Sequence, residues 1–147
     1  MITVRDILQQ KGNQIWSVSP DATVFDALES MAEKNVGALL VLDGEKIAGV
    51  FSERDYARKV ILKGKASKKT SVEEIMSSEV TTVGPGQSVE ECMALMTDKR
   101  IRHLPVLEGE KLVGMISIGD VVKAIISDRE FIIKQLENYI TGGSNLG

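Results

Sequence analysis

Hydrophobic positions along the chain switch between a helical and an extended period. Four apolar residues recur at the spacing of one helix face: Val24, Ala27, Leu28 and Met31. Two short apolar runs, 38–42 and 47–51, come next, and the Asp43-Gly44 turn signal between them predicts a β-hairpin. A short apolar segment at 15–18 predicts another strand before the helix.

The same pattern returns 65 residues later. Positions 18–61 and 83–126 share 15 identities, and residues 4–7 match 72–75 at an offset of 68. The second copy therefore predicts a strand at 80–83 and a hairpin from the runs 103–107 and 112–116. Repetition on this scale indicates an internal duplication.

Helix starts support the duplication independently. A Ser or Thr followed three residues later by an acid predicts a capping box. Six such pairs occur, three in each repeat: Thr3/Asp6, Thr23/Asp26, Ser52/Asp55, Ser71/Glu74, Ser88/Glu91 and Ser117/Asp120. The prediction is a mixed α/β (α+β) fold of two tandem units. Each unit is a small mixed sheet with flanking helices, and pseudo-two-fold symmetry relates the two.

The repeats set the predicted domain bounds. Unit one covers 1–62, a linker 63–70, unit two 71–141 with an extended C-terminal helix, and a tail 142–147. The lysine-rich linker is either a solvated connection or a basic arm that contacts phosphate or an acidic surface. The last helix is predicted to end at Gly142-Gly143. Its apolar residues either pack on their own core or form an oligomer interface: Phe131, Ile132, Leu136 and Ile140.

Composition narrows the function classes. The 147 residues carry a net charge of −3 and are 4% aromatic, and both features disfavour nucleic acid as a partner. With one cysteine, Cys92, and one histidine, His103, the chain has no internal disulfide and no site that needs two imidazoles. Cys92 lies on an apolar helix face and is predicted to be core. We expect a cytoplasmic protein without a membrane span, a bound metal, a catalytic cofactor or an enzymatic activity.

Two motifs carry a resemblance to a known family. The first is Gly-x-x-Ser-x-x-Asp, at Gly49–Asp55 and again at Gly114–Asp120, and the second is the run 102–106, Arg-His-Leu-Pro-Val. With these motifs at matching places in a duplicated chain, residues 1–141 resemble a tandem pair of CBS domains, a Bateman module, as in stand-alone CBS domain-containing proteins.

This resemblance implies a regulatory sensor whose two units pair through their sheets. It implies clefts between the units that bind adenosine-containing ligands: AMP, ADP, ATP, NAD or S-adenosylmethionine. The module would act on an unidentified target protein or through its own homodimer. The alternative is a non-catalytic interaction or scaffold protein with degenerate ligand clefts.

The chemistry of the residues fits such a ligand. Asp55 and Asp120, just inside helix starts, can each accept the two hydroxyls of a ribose, since an ionised carboxylate is an acceptor only. Ser52 and Ser117 can cap their helices and add a hydroxyl, although capping alone also explains both pairs. Arg54 and Arg58 are either a cationic clamp for phosphate or ordinary solvated helix charge.

The other predicted ligand-binding residues lie on or near strands. They are Val18, Gly37, Ala38 and Leu39 in the first repeat, and Thr82, Val83, Arg102, His103, Leu104 and Pro105 for the second. His103 is either a structural histidine or a phosphate contact beside Arg102. Pro105 predicts an edge or bulged strand. Because Gly37 and Ala38 are small where the second repeat has Arg102 and His103, we expect two unequal sites.

Overall fold

The computed structural model describes residues 1–146, and side chains as far as Thr141. Gly147 and the side chains of the predicted tail, 142–147, lie outside the described residues. Contacts divide the chain into two compact units. The first unit is Gln14–Thr82, and the second unit joins Met1–Asn13 to the chain from Val83 onward.

The first unit contains the three-stranded sheet and the helices around it. Its elements are β1 Ser17–Val18, α2 Val24–Lys34, β2 Ala38–Asp43, β3 Lys46–Ser52, α3 Glu53–Tyr56, a π-helical turn Ala57–Ile61, a 3₁₀ turn Ser67–Lys69 and α4 Val72–Ile75. The strand order is β1-β2-β3, with β1 parallel and β3 antiparallel to β2. The predicted hairpin is confirmed, and Gly44 in its turn takes the left-handed φ of 65° that favours glycine.

The second unit repeats this plan with a smaller sheet. Its elements are α1 Val4–Lys11, α5 Val89–Lys99, β4 His103–Glu108, β5 Lys111–Ser117 and α6 Ile118–Leu146. The antiparallel β4–β5 hairpin is confirmed. The strand predicted at 80–83 is wrong in extent, because it shrinks to one parallel bridge between Val83 and Val106. The segment 15–18 similarly keeps only Ser17 and Val18 as strand.

The first helix of each repeat packs in the unit formed by the other repeat. Helix α1 packs with the chain after Val83, and α4 packs with the first hairpin. The motif glycines allow this approach. A Cβ on Gly49 would lie 2.6 Å from the backbone oxygen of Ser77, and one on Gly114 would lie 2.7 Å from Cδ2 of Leu8. The predicted domain bounds follow the sequence repeats, whereas the contacts divide the chain at 13/14 and 82/83. That each repeat is a domain stays a prediction.

Each unit has its own hydrophobic core. The largest fully buried side chain of the first unit is Phe51, and Leu104 and Ile116 take this place in the second. Cys92 is completely buried in the second core, as the helix face predicts. Burial raises the pKa of the Cys92 thiol to about 11, so it is protonated at neutral pH.

Helix α6 changes character along its length. Val121 is buried, and Ile118, Ala124 and Ile125 pack against the second core. The four apolar residues singled out above are 48–72% exposed, so the interpretation that they pack on their own core is wrong: Phe131, Ile132, Leu136 and Ile140. The backbone stays helical to Leu146, past the predicted end at 142–143. Glycine in a helix costs only about 1 kcal/mol relative to alanine, which does not prevent this.

Candidate functional site

In each unit the structure joins the start of a hairpin strand to the start of a helix. In the first unit, Ala38 pairs with Ser52, and the N–H of Glu53 donates to the carbonyl of Gly37 at 3.1 Å. In the second unit, His103 pairs with Ser117, and the N–H of Ile118 donates to the carbonyl of Arg102 at 2.8 Å. In each unit, the start of the first hairpin strand and the Ser-x-x-Asp helix start therefore form one local site.

Asp55 in the first unit is buried and fully engaged. Its Oδ2 accepts the backbone N–H and the hydroxyl of Ser52, at 3.0 and 3.1 Å. Its Oδ1 accepts the hydroxyl of Ser77 at 3.1 Å and lies 3.2 Å from the Lys59 ammonium. With four donors on two oxygens and 7% of the residue exposed, this carboxylate already has the partners that a ribose diol would supply.

Asp120 in the second unit is arranged differently. Its side chain is 25% exposed at the start of the long helix α6. Its Oδ2 accepts the N–H of Ser117 at 2.8 Å and the ammonium of Lys11 at 2.7 Å, and Lys11 also donates to the carbonyl of Met115 at 2.9 Å. Both of these bonds to Asp120 fall on Oδ2, and an ionised carboxylate has a second acceptor oxygen, Oδ1.

The electrostatics of the second unit favour an ionised Asp120 beside a neutral histidine. Burial raises the pKa of Asp120, but hydrogen bonds from Lys11 and Ser117 outweigh it and hold the pKa below its usual value. Burial lowers the pKa of His103, an effect that Asp120 opposes and that Lys11 and Arg102 reinforce. Neutral His103 can both donate and accept a hydrogen bond.

Several predicted site residues are core residues. The side chains of Leu39, Val83 and Leu104 are buried among their units' apolar cores, so only their backbone can meet a ligand. Ala38 and Pro105 are also buried. Pro105 lies on an edge strand, as predicted, since β4 pairs fully with β5 alone and meets Val83 in an isolated bridge.

The remaining predicted residues are accessible to different degrees. Val18 and Thr82 are half-buried, and Gly37 lines a shallow pocket with Asn35 and Glu53. Arg54 and Arg58 are exposed, as is Arg102. Arg58 falls in the π-helical turn rather than in a regular helix.

The sequence interpretation missed the contacts that Lys11, Ser77 and Lys59 make with the motif aspartates, although Lys59 was grouped with Arg54 and Arg58 as a basic cluster for an anionic nucleotide. Lys59 follows Asp55 by four residues, a helical spacing that signals an ion pair. Lys11 is 109 residues from Asp120, and Ser77 is 22 residues from Asp55. Both contacts form because each repeat places its first helix in the unit of the other repeat. The spacing of neighbouring residues in the sequence does not predict this exchange.

A family model for the CBS domain matches residues 4–62 and 72–127. The chain belongs to the CBS domain family. Within residues 1–146, no helix is long and apolar enough to cross a membrane. The same described part of the chain contains no cluster of three or more His, Cys, Asp or Glu side chains that could hold a metal ion.

Relatives in this family resemble the chain over most of its length. The mitochondrial CBS domain-containing protein CBSX3 of Arabidopsis thaliana is 42% identical over 96% of this chain and 73% of its own. A CBS-domain protein structure from Burkholderia ambifaria is 57% identical with a TM-score of 0.84, over 86% of this chain and 95% of that one. The hexameric CBS-CP12 protein from bloom-forming cyanobacteria has 32% identity and a TM-score of 0.73, over 83% and 71%. This CBS pair is a regulatory type of module.

Proposed function

We propose that this CBS pair is a sensor for adenosine-containing nucleotides of the AMP, ADP, ATP or NAD class, and that its principal site is at Asp120. One observation carries the proposal. Asp120 is an accessible carboxylate at the start of a long helix, with the cationic side chains of Lys11 and Arg102 in its unit.

The parts of a nucleotide match the groups in this site. Oδ1 of Asp120 accepts ribose hydroxyls, while Ser117 keeps the carboxylate in place through Oδ2. The start of α6, together with Lys11 and Arg102, attracts phosphate, because a helix start is the positive end of the helix dipole. His103 contributes a further hydrogen bond next to these cations.

The first unit supports a weaker or different site. A ribose at Asp55 would have to displace Ser77 or Lys59, and each is a charge-assisted contact. Exposed Arg54 and Arg58 still offer a phosphate clamp in that unit. The saturated Asp55 also favours the second candidate function, an interaction or scaffold protein whose first cleft is degenerate.

Calorimetric titration of nucleotide-freed protein with AMP, ATP and NAD tests the proposal. We expect one dominant site that Asp120→Asn weakens at least tenfold. Asp6→Asn is the matched control, because Asp6 forms the same capping contact with Thr3 at an exposed position in the same unit. No heat with any nucleotide at millimolar concentration would exclude sensing, and equal effects of both variants would assign Asp120 to capping.

The proposal extends to how the module acts. It binds without catalysis, works as a homodimer and passes its state to a separate target protein. A ligand can do this only by binding one arrangement of the module better than another. A phosphate-release assay with ATP, expected to show no turnover, checks the first point. The cytoplasmic location stays a prediction, while one relative is described as mitochondrial.

A further inference from the structure

The exposed face of α6 has the repeat of a helix built to pack on other helices. Seven apolar side chains, 40–80% exposed, fall on three adjacent heptad positions: Val122, Ile126, Ile132, Ile133, Leu136, Tyr139 and Ile140. Ile126, Ile133 and Ile140 follow one another at intervals of seven residues, as do Ile125, Ile132 and Tyr139. A stripe of this width is typical of a helix in a bundle.

Most of this stripe lies beyond the part of the chain that the family match covers. The CBS family match ends at residue 127, and every described side chain from Arg129 to Thr141 is exposed. The seven side chains together expose roughly 800 Å², which exceeds the largest apolar patch of an ordinary monomer and equals one partner's share of a standard interface.

We infer that a second copy of this chain covers the stripe through an antiparallel pairing of the two α6 helices. The charges support this occupant. Arg129 lies within the stripe, and Asp128, Glu130 and Glu137 flank it. A parallel pair would place the two Arg129 side chains opposite each other, which repels. An antiparallel pair centred near Ile133 separates them and brings each to Glu137 of the second copy.

The flanking charges disfavour the other class of occupant. A helix that lies on a membrane carries lysines and arginines beside its apolar face, because the lipid surface is anionic. Here the flanks carry three acids, Asp128, Glu130 and Glu137, and one base, Lys123. These acidic flanks would be repelled by an anionic membrane surface. They would attract Arg129 in the stripe of a second copy.

The mass of the full-length, nucleotide-free protein tests the inference, by sedimentation and light scattering. We expect a mass of two chains for the wild type and of one chain for I133K/L136K. The control is S127K/N138K, which adds the same charge on the opposite side of the helix and should stay dimeric. A monomeric wild type, or an I133K/L136K variant that stays dimeric, would overturn the inference. Circular dichroism confirms that each variant is folded.

Cysteine cross-linking tests the antiparallel arrangement. The native Cys92 is fully buried, so engineered thiols report without background. Under mild oxidation, Ile133→Cys should link to its own counterpart. Ile126→Cys should link to Ile140→Cys when the two variants are mixed, and not to itself. Self-linking of Ile126→Cys would show a parallel pair and contradict the arrangement. Because neither experiment contains nucleotide, failure here is distinct from failure of the sensor proposal.

Discussion

Lys11 Nζ lies 2.7 Å from Oδ2 of Asp120 and so connects the end of the first helix to the start of the last. The same ammonium donates to the carbonyl of Met115 in β5, three residues before α6 begins at Ile118. This single side chain therefore fixes both α1 and the carboxylate of the proposed nucleotide site.

Replacement of Lys11 by methionine should remove this connection with little change in volume. We expect a loss of about 1 kcal/mol in the free energy of unfolding, since the pair is partly solvated. The pKa of Asp120 should rise, because a hydrogen bond and a positive charge that favour its ionised form are lost. NMR titration of the Asp120 carboxyl and urea unfolding measure the two effects. Lys111→Met, on an exposed strand end, is the control, and an unchanged Asp120 titration would contradict the prediction.

The two motif aspartates should differ in their structural cost. Asp55→Ala leaves four donors without their acceptor in a buried site, and we expect a loss of about 3 kcal/mol. Asp120→Ala acts at a more exposed site and should cost about 1 kcal/mol, close to an ordinary capping residue. Asp6→Ala calibrates the capping effect. Urea unfolding followed by circular dichroism gives the three values, and equal losses for Asp55 and Asp120 would refute the asymmetry.

The motif glycines should tolerate alanine unequally. A Cβ on Gly49 meets a backbone oxygen, which cannot move without breaking the paired segment at Ser77. A Cβ on Gly114 meets the end of the Leu8 side chain, which can rotate away. We expect Gly49→Ala to lose about 3 kcal/mol and Gly114→Ala about 1 kcal/mol. Gly86→Ala, with open space around it, should be neutral in thermal melts. A Gly114→Ala variant that is less stable than Gly49→Ala would contradict this prediction.

His103 should give the folded protein a pH dependence of its own. Burial lowers its pKa below the usual 6.5, so the unfolded chain takes up a proton first as the pH falls. The contribution of neutral His103 to the free energy of unfolding is therefore fully present above pH 6.5, and it is lost as the pH falls below that value. Since the chain has one histidine, His103→Gln should flatten this limb. Urea unfolding between pH 5 and 7.5 measures it, and an identical slope in the variant would assign the effect to acidic groups.

The sequence predicted the parts of the fold that depend on neighbouring residues. All six Ser/Thr–acid pairs begin helices, and both hairpins occur where the turn glycines predict them. The predicted strand ends were less accurate. At 80–83 only Val83 meets a partner strand, because pairing depends on which residues of β4 remain available.

The sequence predicted where the candidate site lies but not how accessible its two carboxylates are. The motifs brought Ser52 with Asp55, and Ser117 with Asp120, to matching helix starts. Whether each carboxylate is accessible depends on Ser77 and Lys11, which arrive from the other repeat. Unequal sites were predicted because Gly37 and Ala38 are smaller than Arg102 and His103. In the structure, the two sites differ instead in the side chains that contact Asp55 and Asp120.

The exchanged first helices make the first unit an insertion within the second. Residues 1–13 are synthesised well before the segment with which they pack, which begins at Val83. The first unit has all its residues once Thr82 is synthesised, while the second must wait for its own end and close over the whole intervening chain. A cut in the linker would give each half a helix that belongs to the other. A single repeat, as an ancestor before the duplication, would then have completed its core as a dimer, with its first helix packed in the second molecule.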